Sequence, residues 1–252
     1  MLLHVSRLSL VVREPSGLDE LFVLESRLDP PRLFLELAQR VMLDISGEPL
    51  RIESLPAVEL AGLALLVRAA WLGDVLRTDF ACPAEGCDER IDVSFSVAEY
   101  LRHHAPRRAR GVAASGGWYV LAGARFRLPT VADLIEASAS PQPTESLARR
   151  CVERSDLDRG LARRVDRALR QLAPSLDDLV GGRCPACAAP VTIRFEPLGY
   201  VLAELREVLS GVYREVHGIA SAYGWPEGAI LALPRGRRRR YAALVEEERS
   251  AA

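Results

Sequence analysis

Lysine is missing from this chain, and all 33 basic residues among its 252 are arginine. We attribute the bias to GC-rich coding and infer no function from it. The formal net charge is −1, so no overall electrostatic field attracts the chain to nucleic acid or to a membrane. Hydrophobic residues make up 49% of the chain, which is enough for a packed core.

A long uninterrupted apolar run is also missing. The most apolar stretch, 55–76, is broken by Glu59, Arg68 and Asp74, which predicts a buried helix and not a membrane span. The N-terminal residues show neither a basic leader nor a small-residue cleavage site, which argues against secretion. We expect a cytoplasmic protein, in which five cysteines would not form a disulfide framework.

Familiar catalytic motifs are absent. There is no Gly-rich phosphate loop, nucleophile elbow or HExxH sequence. Carboxylates such as Asp177 and Asp178 are numerous, but their spacing does not single out an acid–base pair. We therefore expect no enzymatic activity, and an active site built from scattered carboxylates stays a third hypothesis.

Two cysteine pairs are the most informative motifs present. Cys82 and Cys87 lie in ACPAEGCDER, and Cys184 and Cys187 lie in RCPACAAP; Cys87 and Cys184 are 97 positions apart. Alternating polar and apolar residues flank each pair, which predicts a turn between two short strands. Both spacings are typical of structural zinc sites, so we predict one shared Zn per chain with four thiolate ligands.

The long insertion between the pairs is compatible with this prediction. Loop closure costs only about 0.6 kcal/mol per doubling of loop length, whereas structural zinc contributes about 10–16 kcal/mol. Because four thiolates leave no open coordination position, the metal would be structural. Buried thiols or a redox couple remain the alternative, although a redox CxxC is expected at a helix N-terminus.

Other potential ligands are less favoured. Cys151 falls on the apolar face of a predicted helix, so we expect it to be buried as a small hydrophobic residue. His103 and His104 lie beside arginines in a predicted loop, where we expect exposure to solvent.

The predicted fold class is α+β, mainly helical, with a two-hairpin zinc-ribbon-like β element and a long inserted segment between the cysteine pairs. We divide the chain into segments 1–54, 55–104, 105–179, 180–223 and 224–252. They are an N-terminal strand and helix, a helix with the first knuckle, an inserted hairpin with helices, the second knuckle with a long helix, and a C-terminal helical segment.

Several elements can be predicted within these segments. Periodicity indicates helices over 29–44 and 56–76, helical structure over 144–179, and one long helix from 198 to about 223. A hairpin should turn at Ala122 and Gly123, followed by a helix capped by Thr130. Two short helices should follow Pro226 and Pro234.

The C-terminal segment is the predicted surface for a partner protein, because aromatic residues and arginine are enriched at binding hot spots. Its candidate contact residues are Tyr223, Trp225, Arg235, Arg237, Arg238, Arg239, Arg240 and Tyr241. The run RGRRRR also suggests nucleic acid. However, Glu246, Glu247 and Glu248 follow on the same predicted helix, where opposite charges can pair.

The order of these motifs resembles a known family. It comprises WLGDVL, the first knuckle, RFRLPTVADL, ARRCV, the CPAC knuckle with VTIRFE, and REVHGIASAYGWPEGAILALPRGRRRRYAALV. The chain resembles, over roughly 55–245, the zinc-ribbon baseplate proteins of phage-tail-like contractile injection systems. These are distantly similar to the T-even-phage baseplate hub and assembly protein family.

The resemblance implies a structural or assembly role without catalysis. Its expected partners are other baseplate, hub, spike, wedge or tape-measure proteins, with no membrane partner. The protein would then be cytoplasmic or incorporated in an assembled injection particle. The sequence departs from the family pattern in the longer CPAEGC spacing and in Ala188, where a glycine usually follows the last cysteine. The leading alternative is a zinc-ribbon nucleic-acid-binding adaptor.

Overall fold

The predicted α+β class is confirmed by a computed structural model of the chain, which describes residues 1–153 and 157–251. Helices dominate, and the strands form small antiparallel sheets. Within those residues, no helix is both long enough and apolar enough to cross a membrane.

The helices of the described residues are α1 Gly17–Glu25, α2 Pro30–Val41, α3 Glu59–Leu72, α4 Val97–His103, α5 Val131–Ser138, α6 Pro143–Cys151, α7 Arg159–Leu172, α8 Pro197–Leu209, α9 Val212–Tyr223, α10 Glu227–Leu231 and α11 Arg235–Ala251, with a short 3₁₀ turn at Ile52–Ser54. The strands are β1 Leu10–Val12, β2 Met42–Asp44, β3 Val75–Ala81, β4 Arg90–Ser96, β5 Ala113–Ser115, β6 Trp118–Leu121, β7 Ala124–Phe126, β8 Asp178–Arg183 and β9 Pro190–Phe195.

Every sheet is antiparallel. The pairs β1–β2, β3–β4 and β8–β9 form two-stranded sheets, and β5, β6 and β7 form a three-stranded one. The predicted turn at Ala122 and Gly123 joins β6 to β7, and both residues have positive φ, 48° and 85°. Two successive left-handed residues are what a tight type I′ hairpin turn requires.

The chain forms two compact units assembled from separated segments. Unit 1 contains Met1–Ser9, Arg51–Leu63 and Asp74–Pro197. Unit 2 contains Leu10–Leu50, Ala64–Gly73 and the chain from Leu198 onward. The predicted N-terminal segment 1–54 therefore contributes residues to both units.

Unit 1 has a small core between the three-stranded sheet and α7. Phe126 and Leu121 of the sheet pack with Val165 and Ala168 of α7. Cys151, at the end of α6, is buried with a 5% exposed fraction, as predicted, and burial is the largest influence raising its pKa.

Each unit contains the same helix-capping arrangement. In unit 1, Arg127 donates from both terminal nitrogens to the carboxylate of Asp133, whose Oδ2 also accepts the N–H and hydroxyl of Thr130 at 2.8 Å each. The Thr130 hydroxyl oxygen in turn accepts the Asp133 N–H at 3.2 Å, so the predicted N-cap of α5 is confirmed.

Unit 2 repeats this arrangement at the start of α1. Arg13 donates from both terminal nitrogens to Asp19 at 2.8 Å, and Asp19 Oδ2 accepts the N–H and hydroxyl of Ser16 at 2.8 and 2.7 Å. Both sites share the sequence Arg-x-Pro-(Ser/Thr)-x-x-Asp, at 13–19 and 127–133. This spacing therefore predicts a helix whose first-turn aspartate binds both the N-cap residue and the preceding arginine.

The proline carbonyls of this motif each hold the start of another helical segment. Pro129 accepts the N–H of Ala57, just before α3, and Pro15 accepts the N–H of Arg235, the first residue of α11, each at 2.8 Å. The motif thus fixes a long-range contact as well as a cap.

The helical stretches predicted from periodicity are all shorter or more broken than expected. The helix over 29–44 ends at Val41, directly before β2, and the helix over 56–76 ends at Leu72, before β3. The helix over 198–223 is interrupted at Ser210 and Gly211, where the Ser210 hydroxyl donates to the carbonyl of Glu207 at 2.6 Å. This local bond competes with helical pairing. The predicted stretch over 144–179 contains α6 and α7, and its helical part ends at Leu172, before β8 begins at Asp178; its residues 154–156 lie outside those that the structure describes.

We expect Asp133→Asn to destabilise the protein by about 1–2 kcal/mol at neutral pH, the usual cost of losing a cap. The Arg127 hydrogen bonds and the Thr130 N–H hold the pKa of Asp133 well below its usual range. The contribution is therefore complete above about pH 4 and is lost as pH falls further. Urea unfolding of both proteins should show the difference shrinking in acid.

Asp166→Asn is the matched control, since among the described residues Asp166 pairs only with exposed Arg170 one turn away. Its effect should stay below about 0.5 kcal/mol. An Asp133→Asn defect that is equal at neutral and acid pH would contradict the role given to this carboxylate.

Candidate metal centre

Two hairpins present the four predicted thiols. Cys82 follows β3 directly, and its N–H donates to the carbonyl of Glu89 at 2.8 Å, just before β4. Cys184 follows β8 directly, and its N–H donates to the carbonyl of Ala189 at 3.0 Å, just before β9. Strand pairing therefore closes both loops and fixes where each cysteine pair lies.

The four sulfurs converge in unit 1 although the pairs are far apart in sequence. All four ligand atoms lie within 4.8 Å of one another. The Cys82–Cys187 and Cys87–Cys184 sulfurs are 3.7 and 3.8 Å apart. A tetrahedron with metal–sulfur bonds of about 2.3 Å has edges of about 3.8 Å, whereas a disulfide needs about 2.05 Å. These four cysteines could therefore hold one metal ion.

Apolar side chains surround the deeper half of this cluster. Cys82 and Cys184 are buried, Cys87 is half-buried and Cys187 is exposed. Val191 packs against the buried sulfurs, with partly buried neighbours from both hairpins, namely Phe80, Ala84, Ile91 and Ile193. The arrangement leaves Cys187 at the surface.

Backbone N–H groups and neighbouring sulfurs shift the pKa values of two of these thiols in opposite directions. The N–H of Cys187, with that of Ala186, lowers the pKa of Cys184 to about 7. The N–H of Glu89 also acts to lower the pKa of Cys87, but neighbouring sulfurs and burial together raise it to about 12. Several negative charges are disfavoured in so small a space, so four thiolates would need a bound cation.

An aromatic cluster joins the two hairpins beyond the sulfurs. Phe95 of β4, Phe195 of β9 and Tyr100 of α4 have ring centroids 5.1–5.3 Å apart. The Tyr100 hydroxyl donates to the carbonyl of Leu176 at 2.6 Å. These contacts were not predicted, although Phe95 and Phe195 occupy similar positions at the ends of the two alternating strands.

His104 belongs to this junction as well, so its predicted exposure is wrong. Its side chain is 9% exposed, and Nε2 lies 3.1 Å from the Asp178 carboxylate at the start of β8. Burial follows from its position at the end of α4, where its ring packs on Tyr100 at 4.3 Å. The sequence alone placed His104 beside arginines and not beside the second hairpin.

The second knuckle contains an alanine in a strained conformation. Ala188 follows Cys187 and has φ 57°, in the left-handed region that favours glycine. In the first knuckle, Gly86 occupies such a position with φ 75°. The turn therefore forms with Ala188 in place of the usual glycine, but its backbone is strained there.

The predicted partner residues do not form one exposed surface. Arg238 is fully buried, and its guanidinium pairs with Glu20 of α1 and Glu215 of α9. It is unavailable to a partner, so that assignment is wrong. Arg235 is mostly buried and lies 3.4 Å from Glu20. Both arginines pair with carboxylates of other helices in unit 2 and not with Glu246, Glu247 or Glu248 of α11.

The remaining predicted contact residues reach solvent to different degrees. Arg237, Arg239 and Arg240 are exposed, as is Tyr223, while Trp225 and Tyr241 are half-buried. The three aromatic rings contact one another, with centroids 5.1–6.1 Å apart, and Arg237 lies 6.0 Å from the Tyr241 ring. The turn that brings Tyr223 and Trp225 together contains Gly224 at φ 67°.

Comparisons with known proteins identify no relative. A scan against protein-family models, a search of curated proteins and a search of solved structures each return no match. Inference about function therefore rests on the residues of this chain.

We expect the purified protein to contain one metal ion per chain and Cys184→Ser to lose it. Loss of one ligand should also lower the unfolding temperature markedly, because metal binding contributes directly to folding. Elemental analysis and thermal unfolding under reducing conditions measure both effects. Cys151→Ala is the matched control and should keep its metal, since Cys151 lies outside the cluster. Metal-free wild-type protein with unchanged stability would rule out the site.

We expect Ala188→Gly to stabilise the protein by about 1 kcal/mol, because glycine has no Cβ penalty in the left-handed region. Chemical unfolding of the metal-loaded protein measures the gain. Ala186→Gly, in the same turn but at negative φ, is the control and should lower stability slightly. Equal effects of the two substitutions would show that strain at Ala188 is negligible.

Proposed function

We propose that this protein is a non-enzymatic assembly component of the baseplate of a phage-tail-like contractile injection particle. Its fold would be held by one zinc ion at Cys82, Cys87, Cys184 and Cys187. The observation that carries the proposal is the convergence of these four sulfurs, within 4.8 Å, in a chain with the motif order of that family.

Zinc is the proposed metal because of the ligand set. Four thiolates in a tetrahedron are typical of zinc or iron–sulfur sites. One closed site with each pair on a hairpin turn is the usual form of structural zinc. The metal would supply a cross-link between two hairpins and no Lewis-acid chemistry, since its four positions would be filled by protein.

The motif residues that carry the resemblance have structural roles here, which supports a scaffold function. Within RFRLPTVADL, Arg127, Thr130 and Asp133 form the capping arrangement of α5. Within the C-terminal motif, Arg238 anchors α11 to α1 and α9. A chain whose distinctive residues hold helices in place is suited to presenting surfaces to neighbouring proteins.

The proposed partner contact consists of Tyr223, Trp225, Arg237 and Tyr241, together with Arg239 and Arg240. Clustered aromatic rings beside arginine are characteristic of binding hot spots. Deleting the whole C-terminal segment cannot test this contact, since loss of Arg238 would leave Glu20 and Glu215 buried without their partner. Point substitutions are therefore required.

A nucleic-acid-binding adaptor is the second candidate, favoured by the exposed arginines beside aromatic rings. Two features oppose it, since Arg235 and Arg238 are occupied by carboxylates and the net charge is −1. Binding to single-stranded DNA that weakens steeply with salt would support this alternative.

The test of the main proposal is deletion of the gene in a cell that carries it beside sheath, tube and spike genes. We expect complete contractile particles to disappear from electron micrographs of the deletion strain. Wild-type protein and Cys151→Ala should restore them, and Cys184→Ser should not. Tyr223→Ala with Arg237→Ala should reduce particle yield without lowering thermal stability. Normal particle numbers in the deletion strain would overturn the proposal.

A further inference from the structure

A groove in unit 2 is lined mainly by charged side chains, whereas a helix interface is usually apolar. It is a cavity of about 720 Å³ between the end of α8, α9 and α11, within the usual size range of ligand sites. We call it the α9–α11 groove and define it by Val208, Arg214, Glu215, Arg239, Arg240 and Glu246, with Gly211, Gly236, Ala242 and Ala243 between them.

Positive charge in the α9–α11 groove is only partly compensated. The side chains of Arg214 and Arg240 make no hydrogen bond or ion pair with any residue that the structure describes. Arg239 is 62% exposed and lies 3.7 Å from Glu215, whose other oxygen already accepts from buried Arg238 at 2.8 Å. Three guanidinium groups therefore line the groove, while one of its two carboxylates, that of Glu215, is already paired with buried Arg238.

The groove also offers open backbone and one apolar contact. A Cβ at Gly211 would approach no atom closer than the Glu215 carboxylate at 4.0 Å, so the chain is accessible there. Val208, at the end of α8, is 42% exposed although it follows the apolar stripe of that helix. A ligand could thus place acidic groups on the arginines and an apolar group on Val208.

We propose that the α9–α11 groove binds an acidic segment of a partner protein. Charge complementarity carries this assignment, since guanidinium groups pair with carboxylates in a planar, bidentate geometry. The volume is too large for a single small anion to fill. A polyphosphate strand is less suitable, because its negative charges are continuous and Glu215 and Glu246 in the lining would repel it more strongly than a segment whose carboxylates are spaced by uncharged residues.

This inference rests on the proposed function, because the acidic segment would belong to the assembly partner proposed there. It concerns the groove and not the aromatic cluster of Tyr223, Trp225 and Tyr241, although Arg239 and Arg240 belong to both the groove and the proposed partner contact. Binding to the purified protein can be measured without particle formation, so failure of either proposal can be distinguished from failure of the other.

The experiment uses fluorescence anisotropy with the full-length protein. The probe is a short fluorescein-labelled peptide of alternating Glu and Ala with one central Leu, and its counterpart carries Gln at every Glu position. We expect the Glu peptide to bind about tenfold more tightly than the Gln peptide or more. Raising the salt from about 50 to about 200 mM should weaken it.

Paired substitutions place the binding site. Arg214→Gln with Arg240→Gln should weaken binding of the Glu peptide about tenfold. The control, Arg27→Gln with Arg32→Gln, removes the same charge from exposed positions of unit 2 outside the groove and should change affinity less than about twofold. Thermal unfolding of both variants should match that of the wild-type protein.

Three results would overturn the proposal. They are no binding of the Glu peptide at about 1 mM, equal binding of the Glu and Gln peptides, and equal losses in the two paired variants. An oligothymidine that binds more tightly than the Glu peptide and is lost with Arg214 and Arg240 would assign the groove to nucleic acid instead.

Discussion

The convergence of four cysteine sulfurs is the constraint on which unit 1 depends. Two-stranded hairpins are at best marginally stable in isolation, and here each of the two is two-stranded and separated from the other by a long insertion. Sulfurs 3.7 and 3.8 Å apart without a disulfide gain little from direct contact, and their thiolates would repel. A cation at their centre would turn this repulsion into a cross-link. The ring cluster of Phe95, Tyr100 and Phe195 then aligns the hairpins around it.

In unit 2 a buried guanidinium connects separate elements, as the cysteine cluster does in unit 1. Arg238 is enclosed between Glu20 and Glu215, so α1, α9 and α11 meet at one neutralised charge. Such a pair costs desolvation energy, but removing one partner costs more because a charge is left buried alone. A run of arginines that looks like a basic surface patch therefore contains both an internal anchor and exposed positions. The proposed contacts are made by the exposed ones, such as Arg237 and Arg240.

The repeated capping arrangement shows how local sequence can imply a long-range contact. Asp19 accepts from Arg13 and Ser16 as Asp133 accepts from Arg127 and Thr130, although the Asp19 N–H donates to the Ser16 carbonyl and the Asp133 N–H to the Thr130 hydroxyl. The prolines between them accept N–H groups from chain segments far away in sequence. Sequence reasoning identified Thr130 as a cap but overlooked its counterpart at Ser16. The fixed spacing of arginine, proline, hydroxyl residue and aspartate was the signal available.

Short-range order determined much of this protein: both cysteine turns, the flanking strands, the Ala122–Gly123 hairpin and the capped start of α5 follow from alternation, spacing and turn chemistry. These features depend on neighbours within a few residues, which the sequence shows directly. The burial of Arg238, the docking of His104 against Asp178 and the open charge of Arg214 and Arg240 were decided by tertiary structure. Whether a charge is paired depends on which distant carboxylate folding brings near it, and one-dimensional spacing carries no information about that distance.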